Sequence, residues 1–144
     1  VERALSAGAD SIAYGDTTGM ATPTRVTRLV EETRAAHPDA ALGLHFHNTR
    51  GTGLANVLAA LQLGVDDFDA SVGGLGGCPY APGASGNICT EDLVNLCDEV
   101  GIHTGIDLPL LLKLSRGLPA LLGHEVPGQL AKAGRNCDLH PSPS

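Results

Sequence analysis

Three times along this chain, a short apolar run is followed by a polar turn and then by a segment with helical periodicity. The apolar runs span residues 10–14, 41–46 and 65–72. Strands that alternate with helices at this spacing are typical of a parallel sheet. We therefore predict an α/β fold with three consecutive βα units, either in an open doubly wound sheet or in part of a (β/α)₈ barrel.

Polar side chains follow the carboxyl ends of these predicted strands. Asp16 comes after the first run, His45 and His47 end the second, and a glycine-rich segment, 73–87, follows the third. In a barrel these strand ends converge on one site. The placement favours the C-terminal part of a (β/α)₈ TIM barrel, because a complete barrel needs eight units and about 250 residues.

The later part of the chain departs from the alternating pattern. Two leucine-rich helices are predicted at 108–114 and 118–122, with a glycine and a proline interrupting them. These extra helices can cover the end of a barrel or form a subunit contact, and we expect a homo-oligomer for the full-length protein. We assign 1–135 to a partial barrel domain and expect 136–144, which is rich in proline and serine, to be a disordered tail.

The boundaries of the first long helix carry local signals. Thr22 can cap this helix through its side-chain oxygen, and Pro23 can occupy its first position. The helix should end near Ala36, because Pro38 follows it.

Composition excludes several classes of function. Nine basic residues against sixteen acidic ones, with a net charge of -7, leave no cationic surface for nucleic acid. No apolar run approaches the roughly 20 residues that cross a bilayer, and the start of the chain lacks a signal-peptide layout, so we expect a cytoplasmic protein. The four cysteines show no CxxC spacing, which argues against a zinc knuckle and favours reduced thiols.

The glycine-rich segment 73–87 holds six glycines and two prolines, so it must be a loop. Cys78 lies in it between a glycine and a proline, where its thiol can be accessible. Asn87 ends it, and the side-chain oxygen can either cap the following helix, the commoner role for a lone asparagine, or ligate a metal. Cys89 and Cys97 are expected to be small core residues.

His45 and His47 are two residues apart at the end of a predicted strand, so their side chains share a face. Two neutral imidazoles at this spacing suit a divalent metal, although two locally satisfied polar residues would give the same pattern. Asp16 can orient a ligand or accept a proton, and it can equally be a turn residue.

Together these motifs resemble those of the 3-hydroxy-3-methylglutaryl-CoA lyase family, in the metal-dependent aldolase-like barrel superfamily. The cysteine-containing loop is specific for these lyases, whereas the other motifs occur across the superfamily. The resemblance covers nearly the whole chain and rests on segments 15–17, 45–49, 74–81, 83–87, 90–92 and 101–105.

The resemblance implies roles for five residues. It makes His45, His47 and Asn87 ligands of a divalent metal, Mg²⁺ or Mn²⁺, and Cys78 a catalytic residue. It also gives His45 a part in proton transfer and matches Asp16 to an active-site aspartate. The family's aspartate ligand on the first barrel strand, and the arginine beside it, have no counterpart here, so the first five strands are expected to be missing.

The implied reaction is a retro-Claisen cleavage of a 3-hydroxyacyl-CoA thioester, such as 3-hydroxy-3-methylglutaryl-CoA, to acetyl-CoA and a keto acid. One departure leaves the substrate open: Asn48, with Arg50 nearby, resembles the related Claisen-type synthases more than the lyases. The alternatives are a condensing synthase or aldolase of the same superfamily and an inactive truncated barrel segment.

Overall fold

The computed structural model of the chain describes residues 1–77 and 83–138. These residues form two compact units: one comprises 1–70, 76–77 and 83–88, and the other comprises 71–75 and 89–138. No helix within the described ranges is long and apolar enough to cross a membrane.

The first unit alternates helices and strands along the chain: α1 (Glu2–Ser6), β1 (Ser11–Asp16), α2 (Pro23–Ala36), β2 (Ala41–Phe46), α3 (Gly53–Gln62) and β3 (Asp67–Asp69). The strands form one parallel sheet in the order β1-β2-β3. The predicted parallel sheet of consecutive βα units is therefore confirmed.

The bounds of α2 agree with the sequence prediction, but its start is stabilised differently. Pro23 lies at the first position of α2, where a missing N–H costs no hydrogen bond. Thr22 occupies the N-cap position, yet its side chain makes no capping hydrogen bond. Val26 and Val30 are buried on the inner face of the helix. The predicted threonine cap is therefore wrong, and the proline and the buried valines fix the helix.

The third strand is shorter than predicted. The apolar run 65–72 predicts a strand of that length, but only Asp67–Asp69 forms a strand of the sheet; Ser71 makes an isolated bridge to Cys89, and a 3₁₀ turn forms at Val72–Gly74. Gly73 and Gly74 have φ angles of 68° and 71°, a region that an extended strand does not use. The glycine-rich segment therefore begins with a defined turn.

Gly53, the first residue of α3, lies where no larger residue fits. A Cβ atom there would overlap Cγ2 of the buried Ile88 and would lie 3.0 Å from Oδ1 of Asn48. Ile88 is 1% exposed and branched at Cβ, so it has little room to move away. Gly53 therefore allows α3 to begin against the backbone that ends the glycine-rich segment.

We expect the substitution Gly53→Ala to lower the free energy of unfolding by about 1–3 kcal/mol, the usual cost of overpacking. The matched control is Gly117→Ala, because Gly117 lies inside a helix with nothing within 4 Å of its added Cβ. This control should stabilise by about 0.5–1 kcal/mol. Thermal denaturation of the intact protein distinguishes the two, and equal stability of both variants would contradict the packing argument.

The second unit contains three helices: α4 (Thr90–Glu99), α5 (Leu108–Leu122) and α6 (Leu130–Ala133). α6 was not predicted from the sequence. The core of this unit is made almost entirely of leucine and valine, as expected for a chain with few aromatic residues; its buried members are Val94, Leu108, Leu111, Leu112 and Leu130.

The prediction of two short leucine-rich helices is wrong, because α5 is continuous through Pro119. A proline inside a helix removes one backbone hydrogen bond, and packing can offset that loss. Here Leu111 and Leu112 bury one face of the helix. The Asp107 side chain accepts the N–H of Leu110 at 2.9 Å, which caps the start of the helix, and Gly123 ends it with a φ of 76°.

The predicted tail lies mostly outside the described residues. Residues 136–138 are described, and here Arg135 donates to the carboxylate of Asp138 at 2.9 Å. This hydrogen bond lowers the pKa of Asp138 to about 2. Disorder of 139–144 stays a prediction.

Candidate active site

The two histidines of the HxH motif lie side by side at the end of β2. His45 is in the strand, and His47 follows it directly and pairs with Asn87 in an isolated antiparallel bridge. The two ring centroids are 5.1 Å apart, and the ring planes are inclined by 60°. The structure therefore brings the two imidazoles together, as strand alternation predicts.

His47 is a buried residue and not a solvated surface histidine. It is 6% exposed, and its Nδ1 atom is buried with no hydrogen-bond partner among the described residues. Burial lowers the pKa of His47, the neighbouring His45 lowers it further, and the carboxylate of Asp16 opposes both. The imidazole is therefore neutral near pH 7, and neutral imidazole is the form that binds metals.

Backbone hydrogen bonds hold the end of the glycine-rich segment against the histidines. The N–H of Asn48 donates to the carbonyl of Gly86 at 2.9 Å, and the N–H of Ile88 donates to the carbonyl of Phe46 at 3.1 Å. Asn87 lies between these two contacts, beside His47. Backbone hydrogen bonds thus hold Asn87, at the end of the glycine-rich segment, beside His47 at the end of β2.

The side chain of Asn87 is not the helix cap that a lone asparagine most often provides. α4 starts after Cys89, which occupies the N-cap position, and no side-chain capping bond is present there. The Oδ1 atom of Asn87 is shielded from solvent. Gly76 lies close to this side chain, since a Cβ at Gly76 would be 2.8 Å from Nδ2 of Asn87.

Asp16 shapes the loop that follows β1. Its Oδ1 accepts the N–H of Met20 at 2.8 Å, and its Oδ2 accepts the N–H of Ala21 at 3.1 Å. Both carboxylate oxygens therefore stabilise the turn, as the turn interpretation of this residue predicts. Asp16 also affects the site electrostatically, because its negative charge raises the pKa of His47. A catalytic role for Asp16 stays a prediction.

Sequence reasoning missed Asp69, which lies opposite His45 in the register of β2 and β3. Its Oδ2 is 3.8 Å from Nδ1 of His45, and its side chain is 76% exposed. The sequence did not reveal it, because the predicted third strand, 65–72, placed Asp69 inside the strand, whereas the observed strand ends at Asp69. Only the register between the two strands shows that it faces a histidine.

Sequence reasoning named Arg50 only as a departure from the lyase pattern, and it missed how Arg50, Thr52 and Asn56 connect the loop after β1 to the loop after β2. Arg50 donates to the carbonyls of Thr18 and Gly19, at 3.0 Å each. Two residues at the start of α3, Thr52 and Asn56, both donate to the carbonyl of Ala21, at 3.1 Å each. The sequence feature that could have indicated these contacts is Asn56, a polar residue on the inner face of an otherwise apolar helix.

Cys78 lies outside the described residues, so its predicted role stays a prediction. Cys89 and Cys97 are buried, as expected, although Cys89 precedes α4 rather than lying within it. Burial raises the pKa of Cys89 to about 12, and nearby Asp92 and Glu91 raise it further; burial also raises the pKa of Cys97. Cys137 is exposed. Neither buried thiol is therefore suited to proton transfer near neutral pH.

The donors at the site fit a hard divalent cation only in part. Across 1–77 and 83–138, no group of three His, Cys, Asp or Glu side chains is placed to hold a metal. The described candidates are the imidazoles of His45 and His47 and the amide oxygen of Asn87. Imidazole nitrogen together with amide and carboxylate oxygen is a ligand set that divalent ions such as Mn²⁺ accept. The buried Nδ1 of His47 supports such a role, because a buried polar atom without a partner is costly.

The parallel βα units, with polar side chains at the strand ends, define an α/β chain of a kind that is found in (β/α)₈ barrels. Residues 1–117 match the model of the HMGL-like family. The chain therefore belongs to the HMGL-like family, whose TIM-barrel fold it shares.

Three proteins illustrate this relationship. The chain is 50% identical to (R)-citramalyl-CoA lyase of Chloroflexus aurantiacus over 92% of its own length and 42% of that protein. It is 44% identical to hydroxymethylglutaryl-CoA lyase of Bacillus subtilis over 85% of its length and 41% of that protein. A solved HMG-CoA lyase from Acinetobacter baumannii, in complex with coenzyme A and 3-methylmalate, is 63% identical, with a TM-score of 0.92 over 99% of this chain and 47% of that one. The chain thus spans less than half the length of these relatives.

Proposed function

We propose that the intact protein is a divalent-metal-dependent carbon–carbon lyase that cleaves a 3-hydroxyacyl-CoA to acetyl-CoA and a keto acid. One observation carries the proposal: the buried Nδ1 atom of His47 has no partner among the described residues and lies beside the ring of His45. Membership of the HMGL-like family supports it, and so do the names of the relatives, each of which is an acyl-CoA lyase.

His45, His47 and Asn87 would hold the metal, Mg²⁺ or Mn²⁺. When bound, such an ion polarises hydroxyl and carboxylate oxygens and lowers the pKa of a hydroxyl group. The β2 backbone and its pairing with Asn87 fix the backbone positions of these three residues relative to one another.

In this proposal, the ring nitrogen of His45 that does not bind the metal has a second role. Metal-bound histidines commonly direct the nitrogen that is not bound to the metal at a carboxylate. Nδ1 of His45 faces the carboxylate of Asp69 at 3.8 Å, and the exposed side chain of Asp69 is open to solvent. Asp69 would thus orient the His45 ring. Because a metal-bound imidazole has no free lone pair, the exposed carboxylate of Asp69 would itself accept the proton that leaves the substrate hydroxyl and pass it to water.

In the proposed cleavage, the substrate's 3-hydroxyl loses its proton and the bond between C2 and C3 breaks. The electron pair of that bond stays on C2, which becomes the enolate carbon of acetyl-CoA, while C3 becomes the carbonyl of the keto acid. Cys78 donates a proton to C2 and later recovers one from solvent. A thiol with an ordinary pKa of about 8.5 is mostly protonated near neutral pH and can still release its proton.

A condensing synthase or aldolase is less well supported by the structure. Asn48 was the residue that favoured a synthase, but its Oδ1 accepts the N–H of Gly53 at 3.0 Å and so helps to begin α3. This contact gives Asn48 a local structural role that an aspartate could also fill, so Asn48 by itself does not favour a synthase.

The test is to incubate the intact protein and Mn²⁺ with (R)-citramalyl-CoA and with 3-hydroxy-3-methylglutaryl-CoA. We expect acetyl-CoA and a keto acid from at least one of them, at about 1 s⁻¹ or faster, as is typical of enzymes. A parallel incubation gives the same protein and Mn²⁺ acetyl-CoA and a keto acid in place of the thioesters, and so tests for the synthase reaction. Release of free CoA from that mixture, with neither thioester cleaved, would identify a synthase and contradict the proposal.

A further inference from the structure

Asn56 is a polar side chain buried among apolar ones in the first unit. It is 0% exposed and lies on the inner face of α3 with Val57 and Ala60, which are also buried. Its NH₂ group donates at 3.1 Å to the carbonyl of Ala21, in the β1–α2 loop (residues 17–22), but its Oδ1 atom has no partner among the described residues. A buried acceptor without a partner lowers stability. Stability alone therefore does not account for an asparagine at this position.

Other residues near the start of α3 hold the same β1–α2 loop. Thr52 also donates to the carbonyl of Ala21, at 3.1 Å, and Arg50 donates to two earlier carbonyls of the loop, at 3.0 Å each. The two backbones approach closely, since a Cβ at Gly19 would lie 2.8 Å from Cβ of Thr49. The β1–α2 loop is thus held by the segment that directly follows the histidines of β2.

The β1–α2 loop in turn fixes the carboxylate of Asp16. Oδ1 of Asp16 accepts the N–H of Met20 at 2.8 Å, and Oδ2 accepts the N–H of Ala21 at 3.1 Å. Ala21 therefore contacts Asp16 through its N–H and Asn56 through its carbonyl. In the register of β1 and β2, Asp16 lies opposite Phe46, the residue between the two histidines. A displacement of Ala21 would therefore move this carboxylate relative to the histidine pair.

We propose that Asn56 is a positioning residue that holds the carboxylate of Asp16 in place near His47. The inference rests on the proposed function, in which His47 binds the metal. Asp16 is close enough for its negative charge to raise the pKa of His47. Residues behind a metal ligand typically contribute about 10- to 100-fold to activity, and a displacement of about 1 Å can cost about 100-fold in rate. An amide is required at position 56, because an apolar side chain of the same shape cannot donate to Ala21.

The test uses Asn56→Leu in the intact protein. Leucine has the same number of side-chain atoms in the same branched arrangement, but it donates no hydrogen bond. Because Thr52 still reaches the carbonyl of Ala21, we expect the melting temperature to change by less than about 4 °C. We expect kcat to fall by about 10- to 100-fold, and hydrogen exchange of residues 17–22, followed by mass spectrometry, to become faster. Gln62→Leu, which removes an exposed amide from the same helix, is the matched control and should change none of these.

A double-mutant cycle tests whether Asn56 acts through Asp16. Asp16→Asn alone should lower kcat, and adding Asn56→Leu to that variant should cause no further loss, since residues that act as a unit are not additive. Losses that multiply in the double variant would show that the two residues act independently and would overturn the proposal. An unchanged kcat in Asp16→Asn would also overturn it, because Asn56 would then have no functional group to position.

The remaining outcomes separate positioning from folding. A changed melting temperature in Asn56→Leu, with unchanged kcat and unchanged exchange, would mean that Asn56 serves only the fold and would overturn the proposal. If that variant does not fold, Thr52→Val replaces it, because it removes the other donor to Ala21 and keeps the side-chain shape: faster exchange with lower kcat supports the proposal, and no change in either overturns it. If the wild type cleaves no acyl-CoA, the proposed function fails, but exchange still tests the hold on the loop: faster exchange in Asn56→Leu supports it, and equal rates overturn it.

Discussion

Replacement of His47 by alanine will lower acyl-CoA cleavage by the intact protein by more than about 100-fold, the upper end of what losing a residue behind a metal ligand costs. His47 offers a buried ring nitrogen without a partner among the described residues. Its lowered pKa keeps the imidazole neutral at working pH. Alanine removes that nitrogen, so only His45 and Asn87 remain as candidate metal ligands among the described residues.

The matched control is His103→Ala, because His103 is exposed and lies in the second unit. It should leave turnover within about twofold, since surface substitutions usually change little. Melting temperatures of both variants separate a loss of chemistry from a loss of fold. Wild-type turnover in a folded His47→Ala protein would remove His47 from the mechanism.

Replacement of Cys78 by serine will lower kcat by about 10²- to 10⁴-fold, the usual contribution of a general acid. Serine keeps the size of the side chain, but a hydroxyl is a far weaker acid than a thiol with a pKa of about 8.5. The affinity for Mn²⁺ should not change, because Cys78 is proposed to donate a proton and not to ligate the metal. Kinetics and metal titration of the same preparation measure both effects.

The control for this variant is Cys137→Ser, which changes an exposed thiol and should leave kcat unaltered. Cys89 cannot substitute for Cys78 as an acid, because its pKa of about 12 keeps its proton bound. An unchanged kcat in Cys78→Ser would show that another group protonates the enolate. A loss of Mn²⁺ affinity would instead make Cys78 a ligand.

Periodicity was sufficient to predict the parts of the structure that depend on local sequence. The bounds of α2 and β2 follow from Pro23, Pro38 and the apolar run 41–46. The shared face of His45 and His47 follows from strand alternation, and the measured ring distance of 5.1 Å agrees with it. These features can be predicted without knowing which segments of the chain pack against them.

Features that depend on the packing of distant segments could not be predicted in this way. Asp69 faces His45 only because of the register between β2 and β3. α5 continues through Pro119 because buried leucines on one face stabilise the helix. A rule that considers only the proline and its neighbours in sequence does not include this packing. Glu91 has the sequence signature of an ordinary first-turn acid, and only the structure shows that it is buried and accepts the N–H of Gly73.

The most direct test of the central claim is a titration of the intact protein with Mn²⁺, followed by electron paramagnetic resonance, for the wild type, His47→Ala and His103→Ala. We predict one bound Mn²⁺ per chain in the wild type and in His103→Ala, and an affinity more than about 100-fold weaker in His47→Ala. Equal Mn²⁺ affinity in all three proteins would contradict the assignment of the metal to the histidine pair at the end of β2.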